Sequence, residues 1–341
     1  MIKITTLLQD YDRKKHARRI EIAIGSKSLD MSKFSFMYDP DWDEPSKEMP
    51  SKISSLLLDS YYHLPERPDL AFLCLWMAFN SAFYQVAIKR SYETGKSKIS
   101  DDYGIDCATE AIIGAKNIAV GVNGSIRAIG DFLDIAMQVI PEKLTSMIAT
   151  NAVRSVCFDR YECGGRYQSM AFNGLKNKFS ILGQAIINCH GSAFSEVNHP
   201  AISLKNREIF LHSDDAEKNR NIVRSLSRCF QDIFAFGFTS MSDHKNKQPL
   251  TIWISQDEKI SLLLRYVLYA SRNNLSHGKV SSRLNSDTTN PQSYKSNVYL
   301  YVIGYIFVAI MLENLGYASK LVITQAMKNL NLIISKPLSA Y

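Results

Sequence analysis

The stretch Tyr269-Ala270-Ser271-Arg272-Asn273-Asn274-Leu275-Ser276-His277-Gly278 brings an arginine and a histidine close together in the chain. An imidazole titrates near pH ~6.5, so it can take or give a proton at cellular pH. A guanidinium offers a planar fork that fits a phosphate, and its charge offsets the extra negative charge of a phosphorane-like transition state. RNA carries its own nucleophile in the 2′-hydroxyl. A histidine and an arginine can therefore suffice for strand cleavage without a metal.

Spacing constrains this chemistry. Arg272 and His277 lie about 140° apart on an ideal helix and share no face. Asn273 and His277 do share one, as do Arg272 and Ser276, being one turn apart. Gly278 suits the left-handed cap that ends a helix. A helix ending there would present an imidazole, an amide able to orient it, and a long guanidinium that can curl toward the same point. The Arg-x4-His pattern is not specific by itself, because Arg207 and His212 repeat it. That copy lacks a preceding amphipathic helix and a closing glycine. The cations at 272 and 277 would also complement the negative end of any helix dipole, so an ordinary capped terminus stands beside the catalytic reading.

The elements that must position these residues follow from periodicity. Ile260, Leu263, Leu264, Val267 and Leu268 predict a helix from about 256 to 276, capped by Ser255 or Asp257. A helix over 51–63 leads to Pro65 and Pro68, and a long one follows over 69–93. Its stripe of Leu70, Leu73, Met77, Phe83 and Tyr84 is widened by Phe72, Trp76 and Phe79. Asn80 sits among these apolar neighbours and, if buried, needs a hydrogen-bond partner. Further helices are predicted at 105–120, 125–149, 217–236, 294–315 and 319–334, with Pro141 a break and 250–254 a short strand. Residues 243–248 and 279–293 read as polar loops. Over 151–218 short apolar runs alternate with glycines, with strands expected at Ile202 and 209–211, which suggests a small subdomain. The expected organisation is an N-terminal arm at 1–50 and a helical domain at 51–341, with 104–250 as a mainly helical insertion.

Composition agrees with a mainly α globular chain: 46% hydrophobic, 21% charged, with only 16 glycines and 10 prolines among 341 residues. The net charge of +7 is uneven: 101–150 carry −4, whereas 151–256 carry +4 and 257–341 carry +5. A basic half suits a polyanionic partner, and equally a solvated surface. Arg154, Arg160, Tyr161, Arg166, Tyr167, Lys176 and Lys178 interleave cations with aromatics, as RNA-binding surfaces do. The six cysteines form no Cys-x-x-Cys pair, and the start of the chain does not read as a signal peptide, so a reducing cytoplasm is expected. The longest uncharged apolar run, 298–312, is 15 residues, short of the roughly 20 that span a bilayer, and reads as a buried helix. Cys189-His190 and Cys157/Cys163 lack zinc-site spacing, and Gly164-Gly165-Arg166 is no phosphate loop. No metal, cofactor or membrane partner is expected.

The segment around Arg272 resembles the signature of the HEPN superfamily: Arg-x(4–6)-His, commonly with asparagine after the arginine and glycine after the histidine. Leu75-Trp76-Met77-Ala78-Phe79-Asn80-Ser81-Ala82-Phe83-Tyr84 resembles a helix that accompanies it in bacterial members, where a polar residue, here Asn80, projects toward the motif. The resemblance covers about a third of the chain, roughly 51–93 and 256–316. It implies an antiparallel helical bundle, a homodimer with facing motifs, and metal-independent endoribonuclease activity in phage defence, toxin systems or RNA processing. An antitoxin or other regulatory protein is then an expected partner. Arg272, His277, Asn273 and Asn80 would form the catalytic set. Arg265, Lys279, Arg283, Arg160 and Arg166 would contact RNA. A non-catalytic module of the same fold, binding RNA, a nucleotide or a protein, is the alternative. The chain departs from the compact form by about 160 residues between the two matching helices. It also departs from a variant with tyrosine two residues after the histidine, where this sequence has Lys279.

Overall fold

The most apolar helix of the chain organises the fold. In the computed structural model Pro291–Asn314 is a single helix, started by Asn290, whose side chain accepts a hydrogen bond from the backbone amide of Ser293. Almost every residue from Ser293 to Leu312 is buried. The structure describes residues 12–25, 28–44, 49–95, 98–153, 170–198, 203–205, 208–210, 216–245, 247–276, 284 and 289–334. These form two compact units: 1–141 with 256–341, and 142–255. Both are mainly helical.

In the first unit the helices are α1 (Arg13–Ile24), α2 (Ser51–Tyr62), α3 (Pro68–Thr94), α4 (Asp101–Ala115) and α5 (Ile129–Gln138). After the second unit come α10 (Gln256–Leu262, Leu263–Tyr269 and Ala270–Ser276 in continuous succession), α11 (Pro291–Asn314), α12 (Lys320–Lys328) and the short α13 (Asn331–Ile334). Helix α11 packs mainly against α3, and α3 against α2. The α3–α11 approach needs a small residue: a methyl on Gly304 would lie 3.2 Å from Leu75 Cδ2 and 3.5 Å from the Phe72 ring. Helices α3 and α11 are both long and apolar enough to cross a bilayer, but 94% of the α11 window is buried inside the protein. As anticipated for 298–312, α11 is an interior helix.

The expected N-terminal arm belongs to the first unit. Residues 28–44 lie over α11 and α12, tied by side chains to backbone. Leu29 N donates to Tyr294 Oη at 3.0 Å, and Met37 N to Tyr305 Oη at 2.6 Å. Asn329 accepts from Ser35 N at 2.7 Å and donates to Ser35 O at 2.9 Å, while Gln325 makes the same pair of bonds to Tyr38 at 2.8 and 3.0 Å. An extended strap with no sheet partner must satisfy its backbone this way. Beneath it Tyr61 and Tyr305 share a hydrogen bond at 2.7 Å, and burial pushes the Tyr61 phenol up to about 12.

Three further expectations are corrected. Residues 125–149 are not one helix. Ala119–Val122 and Ser125–Ala128 (β1 and β2) form an antiparallel hairpin, followed by α5 and then by α6 (Glu142–Val153). The turn is Asn123-Gly124, both with positive φ (51° and 77°), the sequence that a two-residue hairpin favours. The C-terminal helix breaks after Lys328, where the Asn329 side chain turns to the strap. The inserted unit is 142–255 rather than 104–250, because α4, the hairpin and α5 belong to the first core.

The second unit comprises α6 (Glu142–Val153), α7 (Met170–Lys178), α8 (Ser180–Asn198), β3 (Ser203–Lys205), β4 (Glu208–Phe210), α9 (Ala216–Phe236), β5 (Phe238–Ser242) and β6 (Pro249–Trp253). Its strands pair as two antiparallel hairpins, β3–β4 and β5–β6. Helix α9 packs on α6, where Ser227 meets Thr145 and Ser146 hydroxyls at 3.0 Å each.

Candidate functional site

Helix α10 carries the motif, and its first turns are locked before the motif is reached. Gln256 and Lys259 both donate to Asp134 of α5 at 2.6 Å, and Lys116 pairs with Asp257 at 2.5 Å. Ile260, Leu262, Leu263, Leu264, Val267 and Leu268 are fully buried. These apolar anchors fix the rotation of the helix, and with it the direction in which later residues leave the core.

Between Leu263 and Tyr269 the helix is π-wound. Such a stretch shifts the apolar stripe relative to an ideal α-helix, and π segments recur at functional sites. Within this stretch Arg265 faces α4, where the guanidinium donates to Asp102 at 2.7 Å and also to Asp106. Arg265, expected as an RNA contact, is 9% exposed and has its charge paired with two carboxylates inside the fold. Burial pushes the neighbouring Tyr266 phenol well above its ordinary range.

Past the π stretch, Ala270–Ser276 resumes as α-helix. Tyr269 packs on Trp76 of α3 with ring centroids 5.9 Å apart, within a cluster that includes Phe72, Phe79 and Phe83. Ser271 is buried, whereas Arg272 to Leu275 are half-buried. Arg272 Nη1 donates to Asn273 Oδ1 at 2.8 Å. Among the described residues no carboxylate pairs with Arg272, in contrast with Arg265, Arg67 and Arg90. The side chain is therefore a positive, half-desolvated donor array steadied by one amide. Such a group has the chemistry to bind an oxyanion, and the bond to Asn273 orients it. The sequence had offered Asn273 as a support for His277; in the structure its oxygen supports Arg272.

Asn80 needs no protein partner, because it is exposed rather than buried. The inward arc of α3 holds Phe72, Trp76, Phe79 and Phe83, and Asn80 lies at its edge between exposed Met77 and Tyr84. It sits one turn from Trp76, the residue that packs on Tyr269. His277, Lys279, Arg283, Arg160 and Arg166 lie outside the described residues, as do Arg207 and His212. Lys176 and Lys178 are exposed on α7. No group of three or more metal-ligating side chains occurs among the described residues. In the second unit, burial lowers the His190 pKa and the nearby His244 lowers it further.

Comparison of the chain with protein-family models, with curated proteins and with solved structures gives no match.

Proposed function

We propose that this chain is a HEPN-type endoribonuclease in which Arg272 grips the scissile phosphate and His277 moves the proton. The observation that carries the reading is the half-buried Arg272 guanidinium, oriented by Asn273 and paired with no described carboxylate. An arginine held in that condition at the end of a well-anchored helix fits an anion better than it fits a structural ion pair. In the reaction, His277 takes the proton of the 2′-hydroxyl and the 2′-oxygen attacks phosphorus. Arg272 offsets the charge gained by the non-bridging oxygens. The P–O5′ bond breaks and the leaving oxygen takes up a proton, giving a 2′,3′-cyclic phosphate and a free 5′-hydroxyl.

In this reading two copies meet over the Asn80 face of α3. Exposed Met77 and Tyr84 beside Asn80 supply apolar surface for such a contact. A cytoplasmic role in antiviral defence or as a toxin restrained by a regulatory protein follows from the same reading.

The test is cleavage of end-labelled RNA by purified protein with the products mapped. Arg272→Ala and His277→Ala are each expected to lower turnover at least a hundredfold, with cyclic phosphate at the wild-type ends. Equal low cleavage by wild type and both variants would sink the catalytic claim. RNA binding that weakens in Arg272→Ala, with no cleavage by any form, would leave the non-catalytic module.

A further inference from the structure

The second unit carries an exposed aromatic surface to which the Arg272 site assigns no role. Phe236 and Trp253 are 68% and 72% exposed, and Phe238 between them is half-buried. The rings form a ladder: Phe236 to Phe238 centroids are 6.1 Å apart, and Phe238 to Trp253 4.8 Å at an interplanar angle of 39°. Local folding explains why they gather. Helix α9 ends at Gly237, whose φ of 76° lets the chain turn directly from helix into β5. Gly237 N donates to Ile233 O, and Gly237 O accepts from Ile254 N, which binds the helix end to the end of β6. Phe238 is the cross-strand partner of Trp253 in the β5–β6 hairpin. Thr239, Met241 and Ile252 point inward and are buried, so Phe238 and Trp253 are on the outward face. The next outward pair is Ser240 and Thr251, with hydroxyls 3.2 Å apart.

A row of cations leads to this ladder. Arg220, Arg224 and Arg228 are each one turn apart and all exposed on α9. They span about 80° of the helix, and each step rises about 6 Å. The same solvent-facing stripe continues through Gln231 and Asp232 to Phe236. Among the described residues none of the three arginines pairs with a carboxylate; Arg224 has one long contact, 3.4 Å to Asn221 Oδ1. Asp232, the single acid on the stripe, is half-buried and accepts from Thr239 Oγ1 at 3.5 Å.

We infer that the α9 arginine row and the Phe236–Phe238–Trp253 ladder together form a binding surface for an unpaired polynucleotide. Phosphates track the arginines and bases stack on the rings. A charged track that ends on exposed aromatics is the combination that single-stranded nucleic acid requires, because every base offers a π-face while only an unpaired base can present it. Charge complementarity selects this occupant over a second copy of the chain, since two identical arginine rows would repel. The inference goes beyond Arg272 and needs no cleavage.

The experiment uses the full chain carrying Arg272→Ala, so that turnover does not consume the probe. Fluorescein-labelled twelve-residue polyuridine, the matching polydeoxythymidine and a duplex RNA of equal length are titrated by anisotropy, with intrinsic tryptophan emission as a second readout. Both single strands are expected to bind more tightly than the duplex and to quench Trp253, and the ratio of their affinities reads the contribution of the 2′-hydroxyl. Trp253→Ala is expected to weaken binding about tenfold and to abolish the quench, whereas Trp253→Tyr keeps most of the affinity. Replacing Arg224 and Arg228 by glutamine is expected to reduce the salt slope, d log K/d log [salt], by about 1.4. Affinity unchanged in Trp253→Ala, or equal affinity for the duplex, would overturn the inference. So would a dimer lost in Trp253→Ala by analytical ultracentrifugation without RNA, because the ladder would then be a self-interface. Cleavage by the wild type without single-strand binding at this surface sinks this inference alone. Binding without cleavage sinks the catalytic reading alone.

Discussion

Replacing Arg265 by alanine separates two arginines that lie seven residues apart on one helix and do different work. The Arg265 side chain is 9% exposed, while its partners Asp102 and Asp106 are 74% and 38% exposed. A fully buried pair broken on one side costs about 3–5 kcal/mol, and an exposed pair at most about 1. Here the cation is buried but the carboxylates reach water, so after the substitution both aspartates rehydrate. The cost is then the charge-assisted bonds plus the packing of the arginine stem, about 1.5–3 kcal/mol. Among the described residues Arg272 makes one hydrogen bond, to its chain neighbour Asn273, so Arg272→Ala should cost no more than about 1 kcal/mol. Urea unfolding followed by circular dichroism measures both, with RNA cleavage and binding assayed on the same preparations. Arg265→Ala should lower stability with activity retained where the protein is folded, and its penalty should shrink at molar salt as the pairs are screened. Arg272→Ala should do the reverse. An Arg265→Ala protein as stable as the wild type but inactive on RNA would refute the division of roles, and would restore Arg265 as a nucleic-acid contact.

Two further expectations concern the folded state. His190 is half-buried, its buried Nε2 has no hydrogen-bond partner among the described residues, and its pKa is lowered by desolvation and then by His244. The unfolded chain therefore binds the proton first as pH falls below about 6.5, so stability should decline there and not above it; His190→Gln should flatten that acid limb in urea titrations. Asn329→Ala removes two bonds to the strap and leaves a half-buried backbone pair at Ser35 without its partner, at a cost of about 1–3 kcal/mol. Amide exchange at Ser35 and Tyr38 should speed up markedly; protection unchanged from the wild type would mean that the strap is held elsewhere.

Much of the helical framework was legible in the residues themselves. Apolar residues at helical spacing delimit α3 and α10 closely, since local periodicity is written in adjacent positions; α11 begins three residues before the expected 294, where Asn290 caps and Pro291 starts it. The Asn123-Gly124 turn was equally legible and is a local signal that the apolar residues around it masked. Arg-x4-His was visible as chemistry, but the pattern could not distinguish Arg265 from Arg272 as a cation free for a ligand. That depended on Asp102 and Asp106, over 150 residues earlier in the chain. Tertiary structure likewise made a solvent-facing residue of Asn80 and a single ladder of Phe236, Phe238 and Trp253. The physical reason is common to all of these. Periodicity states which side of a helix or strand is apolar, whereas burial, ion pairing and aromatic stacking are properties of the pair of surfaces that meet, and the second surface comes from elsewhere in the chain.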